Sequence, residues 1–233
     1  MGMKTNANEF DALVGEIQKH LVFLQAVGCA GAHLNQESIR IVRAWENPFP
    51  ASLADVFDEY LQCRRCGLAS AGKASVFGAG SENADLMFVG FAPRREDEGR
   101  RHPYTGKEGA LLTRIIGAMA LDRDSVYICH AVKCLPPGGA PPGKWEAKAC
   151  RYYLLRQIQA IRPSVICVFG EGAAGALLGA GMPFARMRGR FFDYEGIPVM
   201  PTYDPSHVLA DPSARRPVWE DMQKIMKKLD GSE

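Results

Sequence analysis

Four cysteines that lie far apart in the chain have the side chain that soft metals prefer. Cys63 and Cys66 form a C-x-x-C pair in QCRRCGL, and Cys134 and Cys150 follow in VKCLPP and EAKACRYYL. Zinc and iron–sulfur clusters both take four thiolates that converge from different parts of a fold, and a C-x-x-C turn supplies two of them at once. The alternative is four unrelated core or surface cysteines. The spacing favours a single metal centre that joins distant segments.

The composition is that of an ordinary folded protein. Of the 233 residues, 47% are hydrophobic and 23% are charged, and the formal net charge is +2. These values exclude a disordered or fibrous chain, and they restrict any nucleic-acid surface to a local patch. The apolar runs are too short to cross a membrane, and MGMKTNANEF lacks the hydrophobic segment of a signal peptide. We therefore expect no membrane association, a cytoplasmic location, and cysteines that are thiols or metal ligands rather than disulfides.

The first 50 residues are predicted to form a helical extension. Apolar residues recur every three or four positions from Phe10 to Val27, and a second short helix is expected from Gln36 to Trp45 before NPFPAS interrupts the pattern. A third helix is expected after Ser52, a typical N-terminal cap, and it delivers the C-x-x-C pair. We therefore divide the chain into an extension, residues 1–50, and a main domain, residues 51–233.

Short apolar runs alternate with helical segments through the main domain. The runs typical of buried strands are Leu86–Val89, Val126–Cys129, Val165–Phe169 and Val199–Thr202. Helical periodicity fills two of the intervals, over Leu111–Leu121 and Ala147–Ile161. This order predicts an α/β fold with a parallel sheet, helices on both of its faces, and a ligand site at the carboxyl ends of the strands.

The segments around the cysteines and after the strands carry motifs that resemble a known enzyme family. CRRCGLA, MFVGFAP, HPYTGKEG, VYICHAVKCLPP and PTYDPSHVL occur in order and with matching gaps between about Leu53 and Leu229. In this the chain resembles the family 4 uracil-DNA glycosylases. The resemblance implies a three-layer α/β/α sandwich with a four-stranded parallel sheet, and a structural [4Fe-4S] cluster on the four cysteines. Four thiolates could also bind zinc, and the resemblance is what favours iron–sulfur.

Five positions in these motifs depart from the family pattern. Where the family has glutamate and glycine in the first motif, this chain has Phe91 and Arg94. The phenylalanine that stacks on uracil in the family corresponds to Tyr104, which keeps an aromatic plane. The asparagine that reads the uracil edge corresponds to His130, and the histidine that stabilises the leaving base corresponds to Asp204. Because Phe91 cannot activate water and an anionic Asp204 would repel a uracil anion, these residues predict altered chemistry.

Titratable residues at neighbouring strand ends offer substitutes. We expect the catalytic residues to be His130, Asp204 and an acid of the run Glu96–Glu98, with Asp97 as the candidate. A carboxylate beside an imidazole can orient it and raise its basicity. Taken singly, each charged residue has the alternative of a solvated loop side chain. The residues expected to bind the substrate are Phe91, Ala92, Pro93, Tyr104, His130 and His207.

The sequence leaves two functions open. The first is an iron–sulfur DNA glycosylase that hydrolyses the N-glycosidic bond of uracil or of a related damaged base. The second is a catalytically impaired DNA-binding protein of the same fold. Basic loop residues would contact phosphates in either case, and Val208 and Leu209 occupy the place of the segment that the family inserts into DNA. DNA is therefore the expected partner, and we expect the protein to be a monomer.

Overall fold

The structure is a computed structural model, and it describes residues 52–70, 75–98, 100, 102–179 and 181–231. The helical extension predicted for residues 1–50 lies outside the described residues, so it stays a prediction. No helix in the described part of the chain is long and apolar enough to cross a membrane.

A six-stranded sheet forms the centre of the described domain. Its strands are β1 (Ala79–Gly80), β2 (Leu86–Gly90), β3 (Tyr127–His130), β4 (Val165–Phe169), β5 (Phe192–Tyr194) and β6 (Ile197–Thr202). They lie side by side in the order β1-β3-β2-β4-β6-β5. β3, β2, β4 and β6 are parallel neighbours, whereas β1 and β5 run antiparallel at the edges. The predicted α/β class is confirmed.

The prediction of a purely parallel, four-stranded sheet is wrong, because the sheet is mixed and has two more strands. The four predicted strands form its parallel centre. β1 spans two residues, too few to leave a periodic pattern. β5 joins β6 through a tight turn in which Glu195 and Gly196 have φ values of 52° and 86°. Two positive φ values are typical of a type I′ hairpin, but Glu-Gly lacks the Asn or Asp that usually signals one.

Helices cover both faces of this sheet. In chain order they are α1 (Leu53–Leu61), α2 (Gly67–Ser70), α3 (Arg95–Glu98), α4 (Gly106–Ala118), α5 (Lys144–Ile161), α6 (Gly170–Leu178), α7 (Phe184–Met187), α8 (Pro205–Ala210) and α9 (Arg215–Leu229). The buried side chains of α4 and α9 pack with one face, and those of α5 and α6 pack with the other. The domain is therefore a three-layer α/β/α sandwich, as expected.

The central strands are apolar on both sides because both sides are covered. In β2, Leu86 and Phe88 pack in the layer of α4 and α9, whereas Met87 and Val89 pack in the layer of α5 and α6. None of these four side chains is more than 1% exposed. Burying a side chain of this kind contributes roughly 1.5–3 kcal/mol. This double burial is the physical origin of the unbroken apolar runs that predicted the strands.

The helix predicted before the C-x-x-C pair is α1, and it begins as the sequence indicates. The Ser52 hydroxyl accepts a hydrogen bond from the backbone N–H of Asp55 at 3.2 Å, and the Asp55 carboxylate accepts one from the backbone N–H of Ser52 at 2.8 Å. This capping box satisfies N–H groups that the first turn leaves free. α1 buries Val56 and Tyr60 in an apolar cluster beside the sheet.

Backbone hydrogen bonds hold the carboxyl ends of β2 and β3 together beyond the strands themselves. The N–H of Ala131 donates to the carbonyl of Gly90 at 2.8 Å, and the N–H of Val132 donates to the carbonyl of Phe91 at 2.8 Å. β4 and β6 run parallel to these strands and end at the same edge. The loops that follow the four parallel strands therefore meet where the sequence predicts a ligand site.

Candidate active site

A cavity of about 270 Å³ opens at the carboxyl ends of β2 and β3. Its lining consists of Phe91, Ala92, Pro93, Arg94, Asp97, Tyr104, Glu108, His130, Asp204 and the turn 139–142. Seven of the eight residues predicted for catalysis or substrate binding therefore meet in one place. The eighth, His207, is not part of this lining. Its exposed ring stacks on Tyr203 instead, with ring centroids 4.5 Å apart.

Three of the positions that depart from the family pattern contact one another. The Tyr104 hydroxyl donates a hydrogen bond to Oδ2 of Asp204 at 2.8 Å. The Tyr104 ring stacks on the His130 ring, with centroids 5.0 Å apart and an angle of 21° between the planes. Burial is the main cause that raises the pKa of Tyr104, and the neighbouring Asp204 adds to it. Tyr104 is therefore a neutral donor at physiological pH.

His130 is a buried, neutral imidazole. It is 2% exposed, and burial lowers its pKa to about 3, with the nearby charges of Lys133 and Arg94 acting in the same direction. Within the part of the chain that the structure describes, its Nδ1 has no hydrogen-bond partner. A buried polar atom without a partner is unusual in a folded protein, and a bound ligand is one way to satisfy it.

Gly90, the last residue of β2, makes room for the stacked rings. A Cβ at this position would lie 2.3 Å from the hydroxyl oxygen of Tyr104 and 2.8 Å from Cδ2 of His130. Both approaches are far shorter than van der Waals contact. Only glycine allows the two rings to close over the end of this strand.

Tyr104 has a backbone conformation that its neighbours must hold in place. Its φ of 52° lies in the left-handed region, which costs a tyrosine of the order of 1 kcal/mol or more. Nη2 of Arg123 donates to the carbonyls of Pro103 at 2.8 Å and Tyr104 at 3.0 Å. A Cβ on Gly109 would collide with the same Tyr104 carbonyl, so the helix behind the loop also needs a glycine. The loop is thus built to present the Tyr104 ring.

Asp97 is buried and fully engaged within the same loop. Its Oδ2 accepts from the backbone N–H of Arg94 at 2.9 Å, and its Oδ1 accepts from the backbone N–H and the hydroxyl of Thr105 at 2.7 and 2.9 Å. It is 3% exposed. These three bonds connect the two ends of the segment between β2 and α4, so the carboxylate fixes the loop that carries both Arg94 and Tyr104.

Asp204 is both the N-terminal cap of α8 and a wall of the cavity. Its Oδ1 accepts from the backbone N–H and the hydroxyl of Ser206 at 2.8 and 2.6 Å, while Oδ2 accepts from Tyr104. Nη2 of Arg94 lies 3.8 Å from Oδ1. A carboxylate has about four lone-pair sites. The three hydrogen bonds therefore fix its orientation and leave one site for a ligand or a water molecule.

Two charged residues that the sequence analysis did not assign to the site complete it. Arg94 Nη1 lies 2.8 Å from Oε1 of Glu108, in the first turn of α4. Burial is the largest influence on Glu108 and raises its pKa to about 7, against the opposing effect of Arg94. The guanidinium of Arg94 therefore lies between the carboxyls of Glu108 and Asp204. Glu108 follows Tyr104 by four residues, and this proximity to a stacking residue was the available signal.

Phe91, which the resemblance puts at the position of a family glutamate, packs its ring against α6. A Cβ on Gly172 of α6 would lie 2.5 Å from two carbons of the Phe91 ring, so the ring rests directly on that glycine. Phe91 is half-buried and lines the edge of the cavity. It supplies an apolar wall.

The four cysteines of the predicted metal centre lie in the apolar cluster that α1 forms with its neighbours. Burial, followed by the nearby thiols, raises the pKa of Cys134 to about 12. The backbone N–H of Lys133 donates to Sγ of Cys150 at 3.2 Å. None of the six cysteines in the described residues forms a disulfide. Two buried and two partly buried thiols that influence one another electrostatically, one of them accepting an N–H bond, fit a group bound through sulfur.

In the described part of the chain, no three His, Cys, Asp or Glu side chains lie close enough together to hold a single metal ion. The four thiols are donors that suit zinc and iron–sulfur clusters alike.

Lys133 connects the cysteine cluster to the cavity. Besides its backbone bond to Cys150, its ammonium donates to the carbonyl of His130 and to Oε1 of Gln157, both at 2.5 Å. The Gln157 amide donates in turn to the carbonyl of Phe77 at 2.9 Å and to the hydroxyl of Tyr127 at 3.0 Å. Lys133 is 1% exposed. A buried ammonium costs free energy unless it is hydrogen-bonded, and these acceptors hold it beneath His130.

Known proteins are similar in sequence to this chain over most of its length. A family model of the uracil DNA glycosylase superfamily matches residues 77–225. A type-4 uracil-DNA glycosylase of Archaeoglobus fulgidus is 35% identical over 182 residues, which cover 75% of this chain and 92% of that protein. A type-4 uracil-DNA glycosylase of Thermotoga maritima is 35% identical over 173 residues, covering 72% and 90%. A type-5 uracil-DNA glycosylase of Pyrobaculum aerophilum is 32% identical over 145 residues, covering 54% and 63%. The chain therefore belongs to the uracil DNA glycosylase superfamily, among relatives of the type-4 enzymes.

Proposed function

We propose that this protein hydrolyses the N-glycosidic bond of uracil in DNA, as a base-excision repair glycosylase with a rebuilt active site. The observation that carries the proposal is the single cavity at the ends of β2 and β3, which combines stacked rings with Asp204, Glu108 and Arg94. Base excision needs an aromatic surface for the flipped base, a hydrogen bond to its edge, and charges that match the cationic sugar and the anionic base. The cavity supplies all of these.

The base is bound by stacking and by one edge contact. The parallel rings of Tyr104 and His130 form an aromatic wall on which a planar base can stack. A neutral imidazole has one N–H donor and one acceptor nitrogen. His130 can therefore offer a base edge a single donor or acceptor at a time, and its buried Nδ1 has no hydrogen-bond partner among the described residues.

Asp204 faces the sugar. When the bond between C1′ and the base nitrogen breaks, the electron pair leaves with the base and positive charge develops on the sugar. A carboxylate fixed in advance stabilises that charge, and its remaining lone pair can orient the water molecule that attacks C1′. The carboxylate that the family places in the first motif is thus supplied here from the loop after β6.

Arg94 and Glu108 face the leaving base. The guanidinium carries a permanent positive charge and stabilises the base anion as it forms. Because the Glu108 pKa is about 7, a large fraction of the carboxyl is protonated at neutral pH and can deliver a proton to that anion. These two residues do the work of the family histidine and offset the repulsion between Asp204 and the departing base.

The remaining predicted residues have supporting roles. Asp97 positions Arg94 and Tyr104 through its three hydrogen bonds to the loop. Ala92 and Pro93 shape the cavity wall together with Phe91. His207 is exposed beside the cavity, where it can contact a DNA strand but not the bound base.

Cys63, Cys66, Cys134 and Cys150 would hold a [4Fe-4S] cluster. When bound, such a cluster cross-links the chain through four metal–sulfur bonds and need take no part in base excision. The residues around it belong to α1, the loop after β3 and α5. Through Lys133, the loop that bears Cys134 also supports the carbonyl of His130.

The test is release of the base from uracil-containing single-stranded and duplex oligonucleotides, followed as abasic product under single-turnover conditions. We expect release from both, with His130→Ala lowering the rate far more than it lowers DNA affinity. DNA binding without abasic product at stoichiometric protein would identify a catalytically impaired DNA-binding protein instead. Oligonucleotides that contain hypoxanthine or xanthine define the range of bases in the same assay.

A further inference from the structure

A second cavity lies between α5 and α6 and adjoins the active site. Its volume is about 610 Å³, and we call it the α5–α6 groove. The lining residues are Phe91, Pro142, Gly143, Lys144, Ala147, Lys148, Arg151, Glu171, Gly172 and 175–179. Phe91 and Pro142 also line the active-site cavity. The two cavities therefore share a wall, and a chain that leaves one can continue into the other.

One rim of the groove is basic. Lys144 and Lys148 are exposed on α5 and, four residues apart, lie on the same side of the helix. Arg151 is held at the groove by bonds from Nε to the carbonyl of Ala176 at 2.9 Å and from Nη2 to the carbonyl of Leu177 at 3.3 Å. These three cations outnumber the acidic residues of the lining, where Glu171 is the single carboxylate. The rim therefore favours an anionic occupant.

The floor of the groove is flat and apolar. Gly172 and Gly175 lie almost one turn apart on α6, and no heavy atom lies within 4 Å of a Cβ built on Gly175. Phe91 rests its ring on Gly172. Trp145, next to Lys144 in the chain, is not part of the lining but is 78% exposed, and Nζ of Lys148 lies 5.5 Å from its ring centroid. Aromatic rings next to a basic rim are typical of surfaces that bind single-stranded nucleic acid through stacked bases and phosphates.

We propose that the α5–α6 groove binds the single-stranded DNA segment next to the flipped nucleotide. Phosphates of this segment contact Lys144 and Lys148, and a neighbouring base stacks against Phe91 and the glycine floor. The proposal rests on the proposed function, since it places the scissile nucleotide in the adjoining cavity. It also gives Phe91 a purpose at the position where the family has a catalytic glutamate, because an apolar ring there forms the wall that both bases share.

The first test measures binding as a function of salt. The probe is a single-stranded 15-mer with one central 2′-fluoro-2′-deoxyuridine, an analogue chosen to resist cleavage, and the variant is Lys144→Gln/Lys148→Gln. Loss of two phosphate contacts is expected to reduce the slope of log Kd against log salt by about 1.4. Lys227→Gln/Lys228→Gln, which removes two exposed lysines at the end of α9, should leave the slope unchanged. Equal slopes for the two double variants would overturn the proposal.

The second test fills the groove without changing charge. Gly175→Leu places a side chain in open space on α6, and Gly117→Leu does the same on α4, away from both cavities. Both replace a helical glycine, so both should keep or raise stability. We expect Gly175→Leu to weaken binding of the 15-mer at least tenfold and Gly117→Leu to leave it unchanged.

The position of the analogue then shows whether the groove holds the flanking strand. An analogue placed at either end of the oligonucleotide has flanking DNA on one side only. One of these two oligonucleotides therefore lacks the segment that fills the groove, and wild type and Gly175→Leu should bind that one equally well. A deficit of Gly175→Leu that is the same for both ends would overturn the proposal. Wild-type protein that binds the analogue but releases no uracil from uracil-containing oligonucleotides would defeat the proposed function while leaving the result on the groove intact.

Discussion

The cysteine cluster and the active-site cavity belong to one domain but differ in how they relate to the family pattern. On the resemblance to the family motifs, the four cysteines match the expected positions, whereas five residues near the cavity depart from them. The new cavity residues depend on one another, since Tyr104 both donates to Asp204 and stacks on His130. A cluster would be held by its ligands together, so the loss of one would weaken the whole group. A pocket can change its chemistry if several residues that touch change together.

The two regions also differ in what they are expected to contribute. The cysteines lie among apolar side chains of α1 and α5, where a bound cluster would cross-link and stabilise the fold. The cavity collects charged groups and a left-handed tyrosine, which favour chemistry at the expense of stability. Substitutions in the cluster should therefore change the free energy of unfolding, and substitutions in the cavity should change the rate of base release.

The largest expected effect is on stability, from Cys134→Ala. Removal of one ligand should abolish the visible absorption and the bound iron and lower the free energy of unfolding by several kcal/mol, because the energy of metal ligation is also folding energy. Denaturant unfolding and iron analysis measure both. Cys167→Ala is the matched control, a buried cysteine in β4 outside the cluster, and should lose only roughly 1–2 kcal/mol with no loss of iron. Equal losses in the two variants would contradict a cross-linking role.

The next effect is catalytic, from Asp204→Asn. Asparagine is an equally good helix cap, so α8 and the fold should persist. The carboxylate charge that stabilises the cationic sugar is lost, and the single-turnover rate should fall by about 10²–10³-fold with DNA affinity unchanged. Asp211→Asn is the control, because Asp211 caps the following turn in the same way and lies outside the cavity. A loss below about fivefold would remove Asp204 from the chemistry.

Glu108→Gln should change the pH dependence more than the maximal rate. If the protonated carboxyl supplies a proton, wild-type kcat/KM stays level below pH 7 and falls about tenfold per pH unit above it, because the Glu108 pKa is about 7. Glutamine does not ionise, so that limb should disappear from the profile. Glu220→Gln, which removes an exposed partner of Arg216, should keep the wild-type profile. If kcat/KM of Glu108→Gln still fell above pH 7, the fall would belong to another ionisable group.

The same raised pKa has a consequence for stability. A carboxyl whose pKa rises on folding, from 4.5 to about 7, holds its proton more tightly in the folded protein. Wild type should therefore lose stability as the pH rises through that interval, relative to its own value at lower pH. Glu108→Gln should lack this decline, and denaturant unfolding at several pH values measures the difference. Parallel curves for the two proteins would show that the carboxyl does not change its pKa on folding.

The parts of the molecule that follow a repeating pattern were predictable. β2 and β4 are buried on both faces, so their apolar runs predicted a covered parallel sheet. Ser52, a typical N-terminal cap, predicted the start of α1. The two-residue strand β1 and the Glu-Gly hairpin of β5 were not predictable, because neither leaves a periodic or turn-specific signal.

The site was predictable where a motif marked it and not where tertiary contacts made it. His130, Tyr104 and Asp204 follow strands or lie in a marked loop, and all three line the cavity. Glu108 was missed because it lies in the first turn of α4, which is near the other site residues only as a result of the folded conformation of the loop between β2 and α4. Asp97 was expected to be catalytic, but the hydrogen bonds that occupy its carboxylate depend on where Thr105 comes to lie, which no local pattern records.

The smallest expected effect, from Tyr104→Phe, tests most directly whether the exchanged cavity residues act together. Phenylalanine keeps the ring that stacks on His130 and removes only the bond to Asp204, which Ser206 still orients. The rate should fall by about three- to tenfold, equivalent to roughly 0.7–1.4 kcal/mol. The control is Tyr127→Phe, which removes another buried hydroxyl. That hydroxyl accepts a hydrogen bond from the Gln157 amide, and its loss should leave the rate unchanged. In a double-mutant cycle, Tyr104→Phe should cost little once Asp204→Asn is present, because the bond that it removes acts on the rate through the Asp204 carboxylate. Fully additive losses would show that Tyr104 and Asp204 act on the rate independently of each other.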